Sequence, residues 1–84
     1  ELGRHGITCN TVAPGPIATT LFNRANPENA PRTVEIVNSI PVQRIGKPDD
    51  VAHAVSYFLD KRSGFVTGQT AYVCGGLSVG VSHV

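Results

Sequence analysis

The sequence predicts an α/β fold with a parallel sheet, and three observations lead to it. Two short runs rich in β-branched residues, 7–13 and 69–74, are each closed by glycine or proline, as strands commonly are. The segment between them carries apolar residues at helical spacing. Two strands that are separated by helices are expected to pair in parallel through a crossover connection.

Composition limits the classes of protein that fit. The chain has 84 residues, which is one domain or less, a formal net charge of +1 and 40% hydrophobic residues. Its basic residues are scattered without an aromatic platform, so we expect no nucleic-acid partner. No apolar run approaches the roughly 20 residues of a membrane span, and no signal-peptide pattern is present. We therefore expect a cytoplasmic protein without a membrane partner, in which Cys9 and Cys74 are buried, reduced thiols. The alternative is a disulfide between them, which requires their Cα atoms to lie within about 7 Å of each other.

The first elements lead from a helix into a strand and then into a rim. Residues Glu1–Gly6 have the pattern of a helix that ends on a glycine. Ile7–Ala13 is predicted to be a strand, and its lack of clean alternation favours a central strand covered on both faces. The segment Pro14–Thr20, here called the rim, follows at the carboxyl end of that strand. In it, proline fixes the backbone and glycine lets the backbone approach a ligand.

A loop and two helices follow the rim. Leu21–Pro31 is predicted to be a loop, because Asn, Pro and Ala dominate it. A helix over 31–40 is expected to begin and end at prolines. Pro48–Asp60 is the strongest predicted helix, with Asp residues in its first turn and its end near Lys61. Its apolar stripe consists of Val51, Ala54, Val55, Phe58 and Leu59.

The chain then returns to the sheet. Phe65–Gly68 is predicted to be a turn and Gln69–Cys74 a strand, which Gly75 and Gly76 end. The remaining tail, Leu77–Val84, is short and mildly apolar. Two strands and two helices cannot cover both faces of a parallel sheet. We therefore expect further strands to come from protein outside this chain or from self-association.

The rim offers backbone and hydroxyl groups that suit a cofactor. A nicotinamide carboxamide presents donors and an acceptor, and the backbone N–H and C=O of one extended residue, here Ile17, can match both. Thr19, at the start of the next turn, can offer its hydroxyl and its backbone N–H to a phosphate oxygen. The alternative is a proline-rich turn with no ligand. Leu21 and Phe22, just past the rim, are the candidates for contact with substrate.

Several stretches of the chain resemble the short-chain dehydrogenase/reductase family. The segment Ile7–Thr19 is similar to the family's sixth strand and the loop after it. Arg44–Ala52 resembles its Arg-x-Gly-x-Pro helix opening, and Phe65–Gln69 with Val73–Gly76 resembles its last turn and seventh strand. The match covers nearly the whole chain in order, and the nearest branch resembles the 3-oxoacyl-acyl-carrier-protein reductases.

The resemblance implies the carboxyl-terminal part of a Rossmann-type, doubly wound parallel sheet that binds NAD or NADP, with residues 1–84 as a partial domain. It implies an oxidoreductase that interconverts a ketone and a secondary alcohol by hydride transfer, acting on a small carbonyl or alcohol substrate. Residues 20–45 are implied to form a mobile substrate lid. The subunit interface of a homotetramer is implied to be formed by Pro48–Asp60 and Gln69–Cys74. The residues implied to contact the nicotinamide half of the cofactor are Pro14, Gly15, Ile17 and Thr19.

The chain is expected to contain no catalytic residue. The family's Gly-rich phosphate loop and its catalytic Ser, Tyr and Lys precede the strand that begins at Ile7, so the chain is expected to be inactive alone. It contains no methionine and opens within a predicted helix, which also indicates part of a longer enzyme. Tyr57 and Lys61 have the family's Tyr-x-x-x-Lys spacing, but they follow the rim, so we interpret them as a helix-edge tyrosine and a solvated lysine.

No metal site is expected, and no polar role for Cys74. His5, His53 and His83 lack metal-ligand spacing. Members of the family commonly carry Asp or Asn where Cys74 stands, so a polar side chain is lost beside Gly75.

A function of another class stays open beside the enzyme. The chain is alternatively a catalytically inactive fragment that acts only as a self-associating structural module. The apolar stripe of the second helix and the unpaired strand edges would drive that association.

Overall fold

The computed structural model describes residues 2–79, and its two strands form a parallel sheet. Strand β1 (Thr11–Pro14) pairs with strand β2 (Thr70–Val73), with Thr11 opposite Thr70. Three helices lie between the strands in sequence: α1 (Thr20–Ala25), α2 (Pro31–Ser39) and α3 (Pro48–Leu59). Helix α3 contacts both strands. The predicted α/β fold with parallel strands is therefore confirmed.

A few residues at each end of the chain lie outside the described part. They are Glu1, where the predicted helix exit begins, and residues 80–84, which include His83 and most of the predicted apolar tail. Within the described part, a 3-10 helix at Leu77–Val79 follows β2.

The helix exit at the amino end has the form that the sequence predicts. A 3-10 helix spans Leu2–His5, and Gly6 follows with a left-handed φ of 72°. The Gly6 N–H donates to the Gly3 carbonyl at 3.0 Å. The Ile7 N–H donates to the Leu2 carbonyl at 3.3 Å. This pair of bonds is a Schellman closure, in which glycine takes the left-handed position without a steric penalty.

The first strand is shorter than predicted and begins at Thr11 instead of Ile7. The side chain of Asn10 is bound to the turn before β2, because its Nδ2 donates to the Val66 carbonyl at 3.0 Å. Its Oδ1 accepts from the Gln69 N–H, also at 3.0 Å. Ladder pairing therefore starts only after Asn10. The described residues also do not cover the strand on both faces as predicted, since its first and last residues are exposed.

A short helix stands where the sequence predicts a loop, because both ends of α1 are capped. At its start the Thr19 Oγ1 accepts from the Phe22 N–H at 3.1 Å. At its end Asn26 donates to the Phe22 carbonyl through its backbone N–H at 2.8 Å and its Nδ2 at 3.0 Å. The loop prediction for Leu21–Pro31 is wrong over its first half, since Thr and Asn cap helices as readily as they form loops.

Helices α2 and α3 begin at the prolines that the sequence predicts, Pro31 and Pro48. Helix α3 ends at Leu59, and a separate 3-10 helix, Lys61–Ser63, follows. Asp60 lies between them in an extended conformation and caps the 3-10 helix with its side chain. Within residues 2–79, no helix combines the length and apolar character needed to cross a membrane.

The apolar stripe of α3 is only partly covered by the chain. Val51, Ala54 and Phe58 are half-buried, whereas Val55 is 38% exposed and Leu59 is 78% exposed. The accessible surface of the chain is 6600 Å². A compact domain of its 8.8 kDa mass would have roughly 4800 Å². The chain therefore exposes more surface than a compact domain of its mass, and part of the α3 stripe belongs to that surface.

Two glycines after β2, here called the glycine seat (Gly75 and Gly76), support the loop that follows α2. Ile40 is 1% exposed and is the one fully buried hydrophobic residue among those described. A Cβ on Gly75 would lie 2.5 Å from the Ile40 Cγ2 and 2.8 Å from a Val42 methyl. A Cβ on Gly76 would lie 3.0 Å from the Pro41 ring. The loop therefore rests directly on glycine backbone, and the Val42 N–H donates to the Gly75 carbonyl at 3.1 Å.

Replacement of Gly75 by alanine is expected to destabilise the intact protein by at least about 2 kcal/mol. The added Cβ meets Ile40 and Val42, and the φ of Gly75 is 64°. Gly64→Ala is the matched control, because φ there is −65° and a Cβ would meet only the Lys61 carbonyl oxygen at 3.6 Å. That change is expected to be neutral or stabilising by up to about 1 kcal/mol. The measurement is the free energy of urea unfolding, and equal values for the two variants would contradict the role of the seat.

Candidate cofactor and substrate site

The rim after β1 lies against the end of β2. Pro14 is the last residue of β1, and the Gly15 N–H donates to the Val73 carbonyl at 2.9 Å. A Cβ on Gly15 would lie 2.9 Å from the Cβ of Cys74. Only glycine fits this approach without a shift, so packing against β2 already requires Gly15, whether or not a ligand binds.

A parallel bridge joins Ile17 to Gly46 in the loop after α2, and we call this contact the rim–loop bridge. The Gly46 N–H donates to the Pro16 carbonyl at 2.9 Å. The Ala18 N–H donates to the Gly46 carbonyl at 2.8 Å. Because both bonds go to the neighbours of Ile17, the N–H and C=O of Ile17 itself point away from Gly46. That N–H has no hydrogen-bond partner within residues 2–79, so the rim keeps one free backbone donor.

The groups of Thr19 are partly engaged within the chain. Its N–H donates to the Ile17 carbonyl at 2.8 Å, which closes a three-residue turn. This donor is therefore not free for a phosphate oxygen as the sequence predicts. The Thr19 Oγ1 accepts from the Phe22 N–H at 3.1 Å. The hydroxyl hydrogen stays available, since a hydroxyl that accepts one bond can still donate one.

A bidentate ion pair holds the loop that carries Gly46. Arg44 donates from Nη1 and Nη2 to the two carboxylate oxygens of Asp50 at 2.9 and 3.2 Å. The Lys47 N–H donates to the Asp50 Oδ2 at 2.7 Å. The bond from Arg44, followed by that from Lys47, lowers the pKa of Asp50 to about 2. The sequence predicts Asp50 only as a negative charge in the first turn of α3. An acidic residue at the third helical position often also accepts a hydrogen bond from the N–H of the residue before the helix, and this signal was missed.

Two cavities adjoin the rim–loop bridge. The smaller, of ≈ 330 Å³, lies on the Pro16 side against the end of β2. The larger, of ≈ 530 Å³, begins at Ala18, and α1, α2 and the loop after α2 form its wall; we call it the lid cavity. Phe22, which the sequence predicts to contact substrate, lines the lid cavity. Leu21 is 77% exposed and lines neither cavity.

The thiol of Cys74 has a polar role that the sequence analysis did not assign. Its Sγ lies 3.3 Å from the Ser78 Oγ and accepts from the Ser78 N–H at 3.3 Å. These bonds to Ser78, with a smaller effect of the nearby N–H groups of Gly76 and Leu77, lower the pKa of the Cys74 thiol. The thiol therefore donates to the Ser78 hydroxyl and accepts from the Ser78 N–H, at a position where relatives are expected to carry Asp or Asn. Both cysteines are free, and Cys9 is exposed instead of buried.

The Tyr57 and Lys61 side chains do not share a helix face. Helix α3 ends at Leu59, and the extended Asp60 separates it from the 3-10 helix that contains Lys61. Tyr57 is 57% exposed, and its ring meets that of Phe58 edge to face with 5.5 Å between centroids. This geometry favours the interpretation of Tyr57 as a helix-edge residue.

Potential metal ligands do not converge in the described part of the chain. No three His, Cys, Asp or Glu residues form a group there. His5 and His53 are both exposed.

The sequence matches a known family along most of its length. A family model described as enoyl-(acyl carrier protein) reductase matches residues 1–78. The chain is 46% identical over 79 residues to the (2S)-[(R)-hydroxy(phenyl)methyl]succinyl-CoA dehydrogenase subunit BbsD of Thauera aromatica. It is 40% identical over 77 residues to the 3-oxoacyl-[acyl-carrier-protein] reductase FabG of Rickettsia conorii. These matches cover 94% and 92% of this chain and 31% of each relative.

Solved structures share the fold. An oxidoreductase of the short-chain dehydrogenase/reductase family from Burkholderia thailandensis superposes with a TM-score of 0.85 and 30% identity, over 96% of this chain and 31% of that one. A blue fluorescent protein from a metagenomic library, solved in complex with NADPH, superposes with a TM-score of 0.77 and 35% identity. The superposition covers 92% of this chain and 30% of that one. The chain therefore belongs to the short-chain dehydrogenase/reductase family of NAD(P)-dependent oxidoreductases, and the predicted Rossmann-type fold is confirmed. It spans about 31% of the length of the relatives that it matches.

Asp50→Asn is expected to destabilise the intact protein near neutral pH and to do so less in acid. The pKa of Asp50 in the folded protein, about 2, lies below its ordinary value of about 3.9. The stabilisation from the ionised carboxylate is therefore fully present above that ordinary value and is lost as the pH falls through about 2.

The control for this prediction is Asp49→Asn, which removes the same charge from the same helical turn. Urea unfolding of both variants and the parent across the acid range is the measurement. The deficit of Asp50→Asn should shrink with acidification and exceed that of the control at neutral pH. A deficit that is independent of pH would contradict the role of the ion pair.

Proposed function

We propose that the chain is the carboxyl-terminal segment of an NAD(P)-dependent oxidoreductase that interconverts a ketone and a secondary alcohol by hydride transfer. The observation that carries the proposal is the Ile17 N–H, which points away from the rim–loop bridge and has no partner within residues 2–79. It lies at the carboxyl end of a parallel strand, where open α/β sheets bind ligands. The choice between NAD and NADP stays open.

The rim is proposed to hold the nicotinamide half of the cofactor through Pro14, Gly15, Ile17 and Thr19. The free Ile17 N–H fits a carboxamide oxygen, and the Thr19 hydroxyl retains one hydrogen to donate to a phosphate oxygen. The NADPH complex of a related structure supports this class of cofactor. When bound, the cofactor supplies or accepts the hydride, and the rim residues bind and orient it.

The segment 20–45 is proposed to be the substrate lid. Phe22 is its central substrate contact, because it lines the lid cavity beside the rim. Leu21 is a second proposed contact on the outer side of α1, where substrate can be held only if further protein covers that side. The glycine seat and the rim–loop bridge connect this lid to the sheet.

The rest of the proposed enzyme supplies the phosphate loop and the catalytic Ser, Tyr and Lys, and it completes the sheet. We also propose that α3 and β2 carry an interface between subunits of a homo-oligomer. The support is apolar surface on both elements, where Leu59 is 78% exposed and Tyr72 is 62% exposed. These side chains leave water only if other protein covers them.

The second candidate is a catalytically inactive, self-associating structural module. The exposed apolar side chains and the open edges of a two-stranded sheet favour it, and neither feature requires a cofactor. The two candidates differ in whether the intact protein binds NAD(P)H.

Thr19→Val in the intact enzyme is expected to weaken binding of NADH or NADPH by about tenfold or more, since a hydrogen bond to a charged group contributes roughly 1.5–3 kcal/mol. Thr19→Ser keeps the hydroxyl and should bind within about twofold of the parent. Thr19→Asn is the control for the helix, because its side-chain oxygen can keep the cap of α1 while the threonine hydroxyl is lost. Kd is measured by fluorescence titration of the reduced cofactor. Equal Kd values for the Val and Ser variants at position 19 would contradict the phosphate contact.

The isolated 84-residue chain is expected to bind NADPH only at about millimolar Kd or weaker and to reduce no ketone. The intact enzyme should do both, because the phosphate grip and the proton donor are proposed to lie outside this chain. Cofactor titration and NADPH consumption with a panel of ketones are measured on both. Micromolar binding by the isolated chain would contradict this division, and binding by neither would favour the structural module.

A further inference from the structure

Helix α3 has a bidentate arginine–aspartate pair at each end. At its start, Arg44 bonds both carboxylate oxygens of Asp50 at 2.9 and 3.2 Å. Just beyond its end, Arg62 donates from Nε and Nη2 to the two oxygens of Asp60 at 3.0 and 2.8 Å. Each carboxylate also accepts a backbone N–H, from Lys47 at 2.7 Å and from Arg62 at 2.8 Å. The two pairs are therefore alike in chemistry and differ in the residues that they enclose.

The pair at the start of α3 is bonded to both neighbours of Gly46. The Arg44 Nη1 also donates to the carbonyl of Ile45, which directly precedes Gly46. Asp50 accepts from the N–H of Lys47, which directly follows Gly46. One ion pair thus holds the backbone on both sides of this glycine. We call Arg44 and Asp50 together the Gly46 clamp.

Gly46 in turn holds Ile17 in the rim–loop bridge. Its N–H donates to the Pro16 carbonyl at 2.9 Å, and its carbonyl accepts from the Ala18 N–H at 2.8 Å. A Cβ on Gly46 would lie 2.7 Å from the Ile17 Cδ1 and 3.7 Å from the Asp50 Oδ2. The clamp carboxylate and the rim therefore approach the same glycine. A displacement of Gly46 moves the two bonds that set the direction of the Ile17 N–H.

The Gly46 clamp acts through geometry more than through charge attraction. The side chains of Arg44 and Asp50 are 53% and 32% exposed, and an exposed ion pair contributes little stability by charge alone. A bidentate contact between guanidinium and carboxylate nevertheless fixes the direction of its partners, because two parallel bonds allow little rotation. Loss of the clamp is therefore expected to change the direction of the bridge while the fold is retained.

We propose that Arg44 and Asp50 are positioning residues of the cofactor site, which act through Gly46 to direct the Ile17 N–H at the carboxamide of the nicotinamide. Neither side chain is proposed to touch the cofactor. This inference rests on the proposed function, because the carboxamide is its target. Reaction rates depend steeply on the orientation of the reacting groups. The clamp thereby affects hydride transfer as well as cofactor binding.

The binding test compares a complete cofactor with a ligand that lacks the nicotinamide. NADH or NADPH, whichever the intact protein binds more tightly, is titrated beside ADP-ribose or its 2′-phosphate. Asp50→Asn is expected to raise Kd of the dinucleotide about fivefold, because one neutral hydrogen bond is misdirected, and to change Kd of ADP-ribose less than about twofold. Arg44→Lys keeps the charge without the fork and should show the same selective loss. Equal losses for both ligands, or no loss for the dinucleotide, would overturn the inference.

The chain offers a matched control and a conservative replacement. Asp60→Asn breaks the corresponding bidentate pair and N–H bond at the other end of α3. It should leave Kd of both ligands within about twofold of the parent, because that pair lies away from the rim–loop bridge. Asp50→Glu can keep both the ion pair and the capping bond, and it should restore most of the dinucleotide affinity. A selective loss of the same size in Asp60→Asn would overturn the inference.

Hydrogen exchange separates the inference from the proposed function, because it needs no cofactor. The N–H groups of Gly46 and Ala18 form the two bonds of the rim–loop bridge, so peptides that contain them report its opening. In the intact protein without ligand, Asp50→Asn should speed their exchange at least about fivefold, and Asp60→Asn should not. Unchanged exchange would overturn the inference. Faster exchange in a protein that binds neither dinucleotide would contradict the proposed function and not the action of the clamp on the rim.

Discussion

The loop after α2, which belongs to the proposed lid, packs on the end of the sheet against bare backbone at Gly75 and Gly76. Because neither residue has a side chain, the loop after α2 can lie on the end of β2, and Ile40 becomes fully buried. The same loop continues to Gly46, so its position determines where the rim–loop bridge forms. With so little apolar surface buried elsewhere among the described residues, few other contacts can compensate for a shift of this loop.

The candidate site is built mainly from backbone and from one charged pair. The bonds between Arg44 and Asp50 hold the loop that contains Gly46 in place. Because Gly46 pairs with Ile17 in the rim–loop bridge, the N–H of Ile17 points away from that loop. Such a site can bind and orient a ligand through the Ile17 N–H and the Thr19 hydroxyl. The uncovered apolar side chains of α3 and β2 fit the same account, in which these residues form one side of a larger site.

Sequence reasoning succeeded where a feature depends on neighbouring residues and failed where it depends on distant ones. The helix starts at Pro31 and Pro48 were predictable because proline at the first helical position acts locally. The start of β1 was not predictable, because Asn10 bonds a carbonyl 56 residues away. Helix α1 depends on side-chain caps whose residue types also occur in loops. The acceptor role of Cys74 depends on a turn that brings the Ser78 N–H to its sulfur.

Short-range patterns were therefore enough to specify the α/β class, the parallel pairing and the family resemblance, since proline and glycine positions and helical periodicity are written in consecutive residues. They could not show that the N–H of Ile17 is free while that of Thr19 is bonded. Nor could they show that Gly46 bonds both neighbours of Ile17. Hydrogen-bond partners and cavities arise between segments that only folding brings together, and no periodicity along the chain encodes which atoms remain without a partner.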